Sequence, residues 1–210
     1  ELRQAAERGV RVRLLLDDNG IAGMDEALAA LDAHANVEVR LFNPFVFRAF
    51  KPLGFVTDFQ RANRRMHNKS FTADNAATIL GGRNVGDEYF GATDGVLFAD
   101  LDVLAVGPPV AQVSAAFDAY WGSASAYPIA ALVDPPSPQA REALAARASA
   151  IDRSEHAAAY KAAVRAMPFF SRPPGTPRSE VPFVWAGAHV LVDDPAKGLG
   201  AAGSNQLLIH

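Results

Sequence analysis

The stretch 66-MHNKSFTADNAATILGGRN-84 decides how the rest of the chain is read. Met66 to Ala73 and Ala76 to Leu80 are two short strand-like runs on either side of Asp74-Asn75. Asp and Asn tolerate the left-handed backbone that a tight hairpin demands, so the pair predicts a turn. Gly81-Gly82 ends the second run. His67 and Lys69 stand two apart on a predicted strand, so both side chains should leave the same face. Asn84 follows the glycine pair, where the missing Cβ lets the backbone turn sharply and a ligand approach. An imidazole, an ammonium and a carboxamide meeting at one strand end fit a phosphodiester. Lys69 and Asn84 would hold the non-bridging oxygens and stabilise charge as phosphorus becomes five-coordinate. A neutral His67 could attack the phosphorus.

Working outward, residues 2–8 read as an amphipathic helix closed by Gly9. Val10 to Leu16 alternates and then turns fully apolar, as a strand entering the middle of a sheet does. Asp17-Asp18-Asn19-Gly20 makes a loop at its carboxyl end, where sites gather in α/β sheets, so these acids serve either loop structure or function. Helical spacing over Met24 to His34 and a strand over Val37 to Phe42 complete a right-handed βαβ unit with parallel strands. Between 42 and 65 six phenylalanines are interleaved with Arg48, Lys51, Arg61, Arg64 and Arg65. About half of these rings are expected in the core. The rest are expected on a surface that dips into a membrane, the cations meeting anionic headgroups.

Downstream, Asp87 and Glu88 suit the first turn of a helix. Asp100 to Val106 is a further strand, and Pro109 to Trp121 a helix with Val113, Ala116, Phe117 and Tyr120 as its buried stripe. Pro135-Pro136-Ser137-Pro138 marks a linker before an alanine-rich helical stretch over 139–166, to which no chemistry is assigned. A second proline-rich break spans Pro168 to Pro177, and Val181 to Val192 reads as a strand. The fold class is α/β, a mixed sheet flanked by helices. The domain reading is a catalytic lobe over 1–134 with its N-terminal strand missing, a linker and helical segment over 135–180, and the truncated start of a second lobe over 181–210.

The 210 residues carry a formal net charge of −3, which argues against a protein that coats nucleic acid. There is no cysteine, hence no disulfide and no thiolate metal site. No apolar run reaches the roughly 18 residues of a bilayer-spanning helix. The first residue is Glu1 and the last run is apolar, so the chain reads as a fragment whose membrane anchor, if any, lies outside it.

H-x-K-x4-D is filled by His67, Lys69 and Asp74, and G-G-x-N by Gly81, Gly82 and Asn84. With LLLDDNG, NRRMHNKSF, GGRNVGDEYF and FADLDVLAVGP, this order and spacing resembles the phospholipase D superfamily, specifically its bacterial cardiolipin synthase branch. The resemblance covers residues 1–135 well and continues more weakly to 200. It implies a phosphatidyltransferase without metal or cofactor, acting on phosphatidylglycerol or phosphatidylethanolamine at the bacterial cell membrane, peripherally or through an anchor outside the chain. It implies His67 as nucleophile, Lys69 and Asn84 on phosphate, and a carboxylate orienting a catalytic histidine at the head of the strand after the G-G-x-N turn. Asp100 fills that place, with Asp102 as the alternative. Arg83 either touches a headgroup phosphate or pairs with an acid. Asp74, seven positions from His67, fits a turn role better than chemistry.

Members of this superfamily bring two such motifs together, and this chain holds one. Within the 210 residues, none of His34, His156, His189 and His210 is followed by a lysine two residues on. The second motif is therefore expected beyond His210 or, failing that, from a homodimer, and the chain alone is expected to be inactive. Two further readings stay open: a nuclease-like phosphodiesterase of the same superfamily, which the acidity and the aromatic stretch disfavour, and a non-catalytic phosphate-binding lobe.

Overall fold

The computed structural model of the chain describes residues 1–48, 50–90, 98–167 and 183–201. In chain order the elements are α1 (Leu2–Glu7), β1 (Val12–Asp17), α2 (Asp25–Asp32), β2 (Val37–Phe42), α3 (Pro52–Thr57), α4 (Phe59–Ala62), β3 (Ser70–Ala73), β4 (Ala77–Gly81), α5 (Asp87–Phe90), β5 (Asp102–Val106), α6 (Pro108–Trp121), β6 (Ala126–Pro128), α7 (Pro138–Asp152) and α8 (Glu155–Ala166). Short 3-10 turns lie at Asp18–Gly20, Ile129–Ala131 and Pro195–Leu199.

The strands divide into two three-stranded sheets, ordered β1-β2-β6 and β3-β4-β5. β1 and β2 are parallel, Val12 opposite Val37 through Asp17 opposite Phe42, with α2 as the crossover. β6 adds antiparallel to β2, so the first sheet is mixed. Val39, Leu41 and Phe42 on the middle strand are fully buried and Val37 nearly so; Val37, Val39 and Leu41 pack with Ala6, Ile21, Leu28 and Ile129. Each such side chain withdrawn from water is worth about 1.5–3 kcal/mol, which makes this sheet the main source of stability.

The second sheet is antiparallel throughout, β3 to β4 with Ser70 opposite Leu80 and β4 to β5 with Gly81 opposite Asp102. Its hairpin turns through Asp74, Asn75 and Ala76; Asp74 and Asn75 are left-handed with φ of 53° and 52°, and the Ala76 amide donates to the Ala73 carbonyl at 3.0 Å. The Asn75 amide oxygen accepts from the Ser114 hydroxyl at 2.8 Å, tying the hairpin tip to α6. α6 starts with prolines after Gly107 (φ 80°), where a proline's missing N–H costs nothing. It buries Val110, Val113, Tyr120 and Trp121; of the expected stripe Val113 and Tyr120 are buried and Ala116 and Phe117 half-buried. The ring of Tyr120 lies 5.4 Å from that of Phe42, so α6 joins the two sheets.

Two expectations need correction. The strand expected from Met66 begins only at Ser70; residues 64–69 have no regular structure, although the Gly81 amide still donates to the Lys69 carbonyl at 3.3 Å. The strand expected over Val181 to Val192 is not formed: 183–194 carry no secondary structure, and positions 181–182 lie outside the described residues. Apolar residues become a strand only against a partner ladder, and Val184, Trp185 and Leu191 are exposed instead. α7 and α8 are capped by the hydroxyls of Ser137 and Ser154, which accept from the amides of Ala140 and Ala157, and neither helix buries a residue.

Candidate active site

Antiparallel pairing on both sides of β4 brings three chain ends to one end of the second sheet. These are the approach to β3 (His67 and Lys69), the exit of β4 (Gly81 to Asn84) and the entry of β5 (Asp100 to Asp102). The motif residues, far apart in sequence, thus share one sheet end by topology alone.

The glycine pair has a steric reason. A Cβ on Gly81 would stand 2.4 Å from the Leu101 carbonyl oxygen and 2.2 Å from Asp102 Oδ1; one on Gly82 would stand 2.2 Å from Asp100 Oδ1. The missing side chains let the head of β5 and its two carboxylates lie directly against the exit of β4.

His67 is exposed. Among the described residues its imidazole has no hydrogen-bond partner. Lys69 is half-buried and its ammonium donates to the His67 carbonyl at 2.9 Å. The Asn84 amide is exposed and donates to the Tyr89 hydroxyl at 3.0 Å. No hydrogen bond among the described residues joins the three side chains to one another.

Arg83 pairs with an acid. Its Nε lies 3.3 Å from Asp102 Oδ2, close enough for charge attraction though not aligned as a hydrogen bond, and a terminal nitrogen donates to the Asp100 carbonyl at 3.1 Å. Asp102 is thereby engaged with Arg83, whereas the exposed Asp100 carboxylate accepts only its neighbour's amide, Leu101 N, at 2.8 Å among the described residues. Asp74 sits in the exposed turn at the opposite end of the hairpin from His67. Among the described residues no group of three His, Cys, Asp or Glu could hold a metal ion.

The acidic loop after β1 is a junction of charged bonds. Asp18, fully buried, accepts from the Phe45 amide at 2.8 Å, from Arg48 at 2.7 Å and from the Lys51 ammonium at 2.8 Å. Arg48 also pairs with Asp25. Burial works against the Arg48 charge, but hydrogen bonds to Asp25 and Asp18 outweigh it and hold the guanidinium above its ordinary pKa. Arg61 bonds Asp58, Asn43 and the Pro44 carbonyl, and Arg65 bonds Asp17. Phe42 and Phe45 are core, Val46, Phe47, Phe50 and Phe59 are exposed, and the Phe55 side chain lies outside the described set. Two of the five described rings are core, close to the expected half. The cations Arg48, Lys51, Arg61 and Arg65 do not stand free as expected, because Asp18, Asp25, Asp58 and Asp17 hold them.

Asn43 escaped the sequence reading. Left-handed at φ 48° and buried, it donates through its amide to the Arg61 and Arg64 carbonyls at 2.8 and 2.7 Å, and its main-chain amide donates to the Ser125 carbonyl at 2.7 Å. Its position just past a strand end, in a residue type that tolerates φ > 0, was the one available signal.

A histidine and a lysine approaching one strand, a glycine pair that admits two carboxylates, and an amide beyond it are the parts of a phospholipase D-like motif. The family model described as "Cardiolipin synthase, PLD-like domain" matches residues 1–121, and the chain belongs to this family. It is 48% identical over 209 residues to "Cardiolipin synthase C" of Escherichia coli (strain K12), covering 99% of this chain and 43% of that protein. It is 34% identical over 131 residues to "Cardiolipin synthase A" of Pseudomonas entomophila, covering 61% of this chain and 26% of that one. An "Uncharacterized protein" of Helicobacter pylori (strain ATCC 700392 / 26695) is 41% identical over 134 residues, or 63% of this chain and 27% of the relative. The chain thus spans less than half the length of these curated relatives.

Proposed function

We propose that the full-length protein carrying this chain transfers a phosphatidyl group from one phospholipid, phosphatidylglycerol or phosphatidylethanolamine, to the hydroxyl of another, forming cardiolipin. The His67 imidazole attacks phosphorus, the bond to the leaving alcohol breaks, and a phosphohistidine forms. A second histidine, from a second motif elsewhere in the protein or in another copy, protonates that alcohol. It then takes the proton of the acceptor hydroxyl as that oxygen displaces His67. Lys69 and Asn84 carry the phosphate oxygens after exchanging their present partners, the His67 carbonyl and the Tyr89 hydroxyl, for the ligand. Asp100, exposed at the head of β5, orients a catalytic histidine, and Arg83 holds Asp102 beside it.

The observation that carries the reading is the meeting of the three motif segments at one sheet end with His67 open to solvent. Residues 1–134 are then the catalytic lobe, 135–180 its helical connection and 181–210 the opening of a second lobe, this last on resemblance alone. The exposed Val46, Phe47, Phe50 and Phe59 support work at a membrane surface. No described helix is long and apolar enough to cross a membrane.

The test is cardiolipin formation by the full-length protein on phosphatidylglycerol vesicles. His67→Ala is expected to lower it by about 10³-fold or more, the scale on which losing a nucleophile acts. Wild-type protein quenched in turnover should carry acid-labile phosphate on histidine. Synthesis retained in His67→Ala would overturn the assignment. The chain on its own is expected to be inactive in the same assay.

A further inference from the structure

We propose that Asp17, braced by Arg65, is a positioning residue that fixes where His67 stands. The proposal rests on the reading of His67 as nucleophile and adds to it the group that sets the imidazole's place. Asp17 Oδ2 accepts the Met66 main-chain amide at 2.7 Å; Oδ1 accepts the Asn19 amide at 2.9 Å and an Arg65 guanidinium nitrogen at 3.1 Å. One carboxylate therefore gathers three donors, two of them from the residues immediately before His67.

The bond to Met66 matters because little else holds this stretch. Residues 64–69 belong to no strand or helix. Among the described residues, the main-chain amides from Arg65 to Lys69 make one hydrogen bond, Met66 to Asp17. The next fixed point is the Lys69 carbonyl on the Gly81 amide, two residues past His67. His67 is thus slung between one bond to the first sheet and one to the second. The first anchor is rigid: Asp17 ends β1 opposite Phe42, which is fully buried. A hydrogen bond from an amide to a charged carboxylate is about twice as strong as a neutral one, which suits a single tether.

The chemistry also explains why the residue is an acid. A carboxylate offers acceptors on both oxygens, whereas an amide offers one oxygen and turns N–H groups against a donor. Asp17→Asn therefore sets an NH2 against either Met66 N or the Asn19–Arg65 pair, and either way a donor loses its partner. Asp18, one residue on, faces the other way and holds Phe45, Arg48 and Lys51. It serves as the control for simple loosening of the same loop.

The experiment measures kcat and KM of the full-length protein on phosphatidylglycerol vesicles, with thermal unfolding alongside. For Asp17→Asn we expect kcat to fall by about 10²-fold with KM within about twofold, since a misplaced reacting group slows chemistry while leaving lipid binding intact. Per folded molecule, Asp18→Asn should lower the unfolding temperature and spare kcat. If Asp17→Asn does not fold, Arg65→Gln is read by the same split and should also lower kcat selectively. An unchanged kcat in the folded Asp17 variant, or in Arg65→Gln where that variant replaces it, overturns the proposal, as does an equal kcat loss in Asp18→Asn. A wild-type protein that makes no cardiolipin would instead refute the functional reading on which the proposal rests.

Discussion

In the β1-β2-β6 sheet the inward residues of the middle strand have lost contact with water, whereas the β3-β4-β5 sheet keeps large apolar side chains wet. Phe71, Ile79 and Leu104 lie opposite one another across the three strands and remain 63%, 44% and 47% exposed. The opposite face is covered, where Thr78 is buried and α6 packs. The first sheet anchors and the second displays. The motif residues lie at one end of the displaying sheet, and the bond from Met66 to Asp17 ties the approach to His67 to the anchoring one.

That division can be broken by experiment. Leu41→Ala, in the fully buried middle strand, should cost about 3 kcal/mol of unfolding free energy, measured by denaturant titration. A loss under about 1 kcal/mol, typical of forgiving sites, would remove the claim that this sheet carries the stability.

Tyr120, at the joint between the sheets, sharpens the comparison through pH. Burial, with the nearby negative charges of Asp193 and Asp194, pushes its phenol up to about 12. The folded state therefore favours the protonated phenol. Its contribution is complete below the unfolded pKa near 10 and is lost as pH rises towards 12. The wild type should lose about 2–3 kcal/mol across that window relative to Tyr120→Phe. Parallel alkaline unfolding curves for the two proteins would show that the joint admits water.

The glycine pair gives a graded test. Gly81→Ala drives a Cβ against a main-chain carbonyl and should cost about 2 kcal/mol, while Gly82→Ala meets the movable carboxylate of exposed Asp100 and should cost about 1 kcal/mol or less. Equal costs would mean that the head of β5 yields as a unit. Smallest of all, Phe71→Thr on the wet face should change stability by no more than about 0.5 kcal/mol. A larger loss would mean that this face is covered in the working protein.

Much of this was legible in the sequence. The parallel β1-β2 pair, the Asp74-Asn75 hairpin, the start of α6 at prolines and the grouping of His67, Lys69, Gly81, Gly82 and Asn84 follow from periodicity, turn chemistry and motif spacing. What stayed hidden depends on partners distant in sequence. Asn43 reaches residues 18 and 21 positions away and Asp17 reaches one 49 positions away, and no local pattern encodes either. The late start of β3 and the missing strand over 183–192 have the same origin. An apolar run states a willingness to pair, and the ladder it needs lies elsewhere.

The inward turn of four of the five cations between residues 48 and 65, all but Arg64, bears on how this flank meets its surroundings. With Arg48, Lys51, Arg61 and Arg65 neutralised at contact distance by Asp18, Asp25, Asp58 and Asp17, added electrolyte finds little unbalanced charge there to screen beyond that of Arg64. What the flank offers outward is rings and methyl groups, whose attraction to hydrocarbon does not fade in brine.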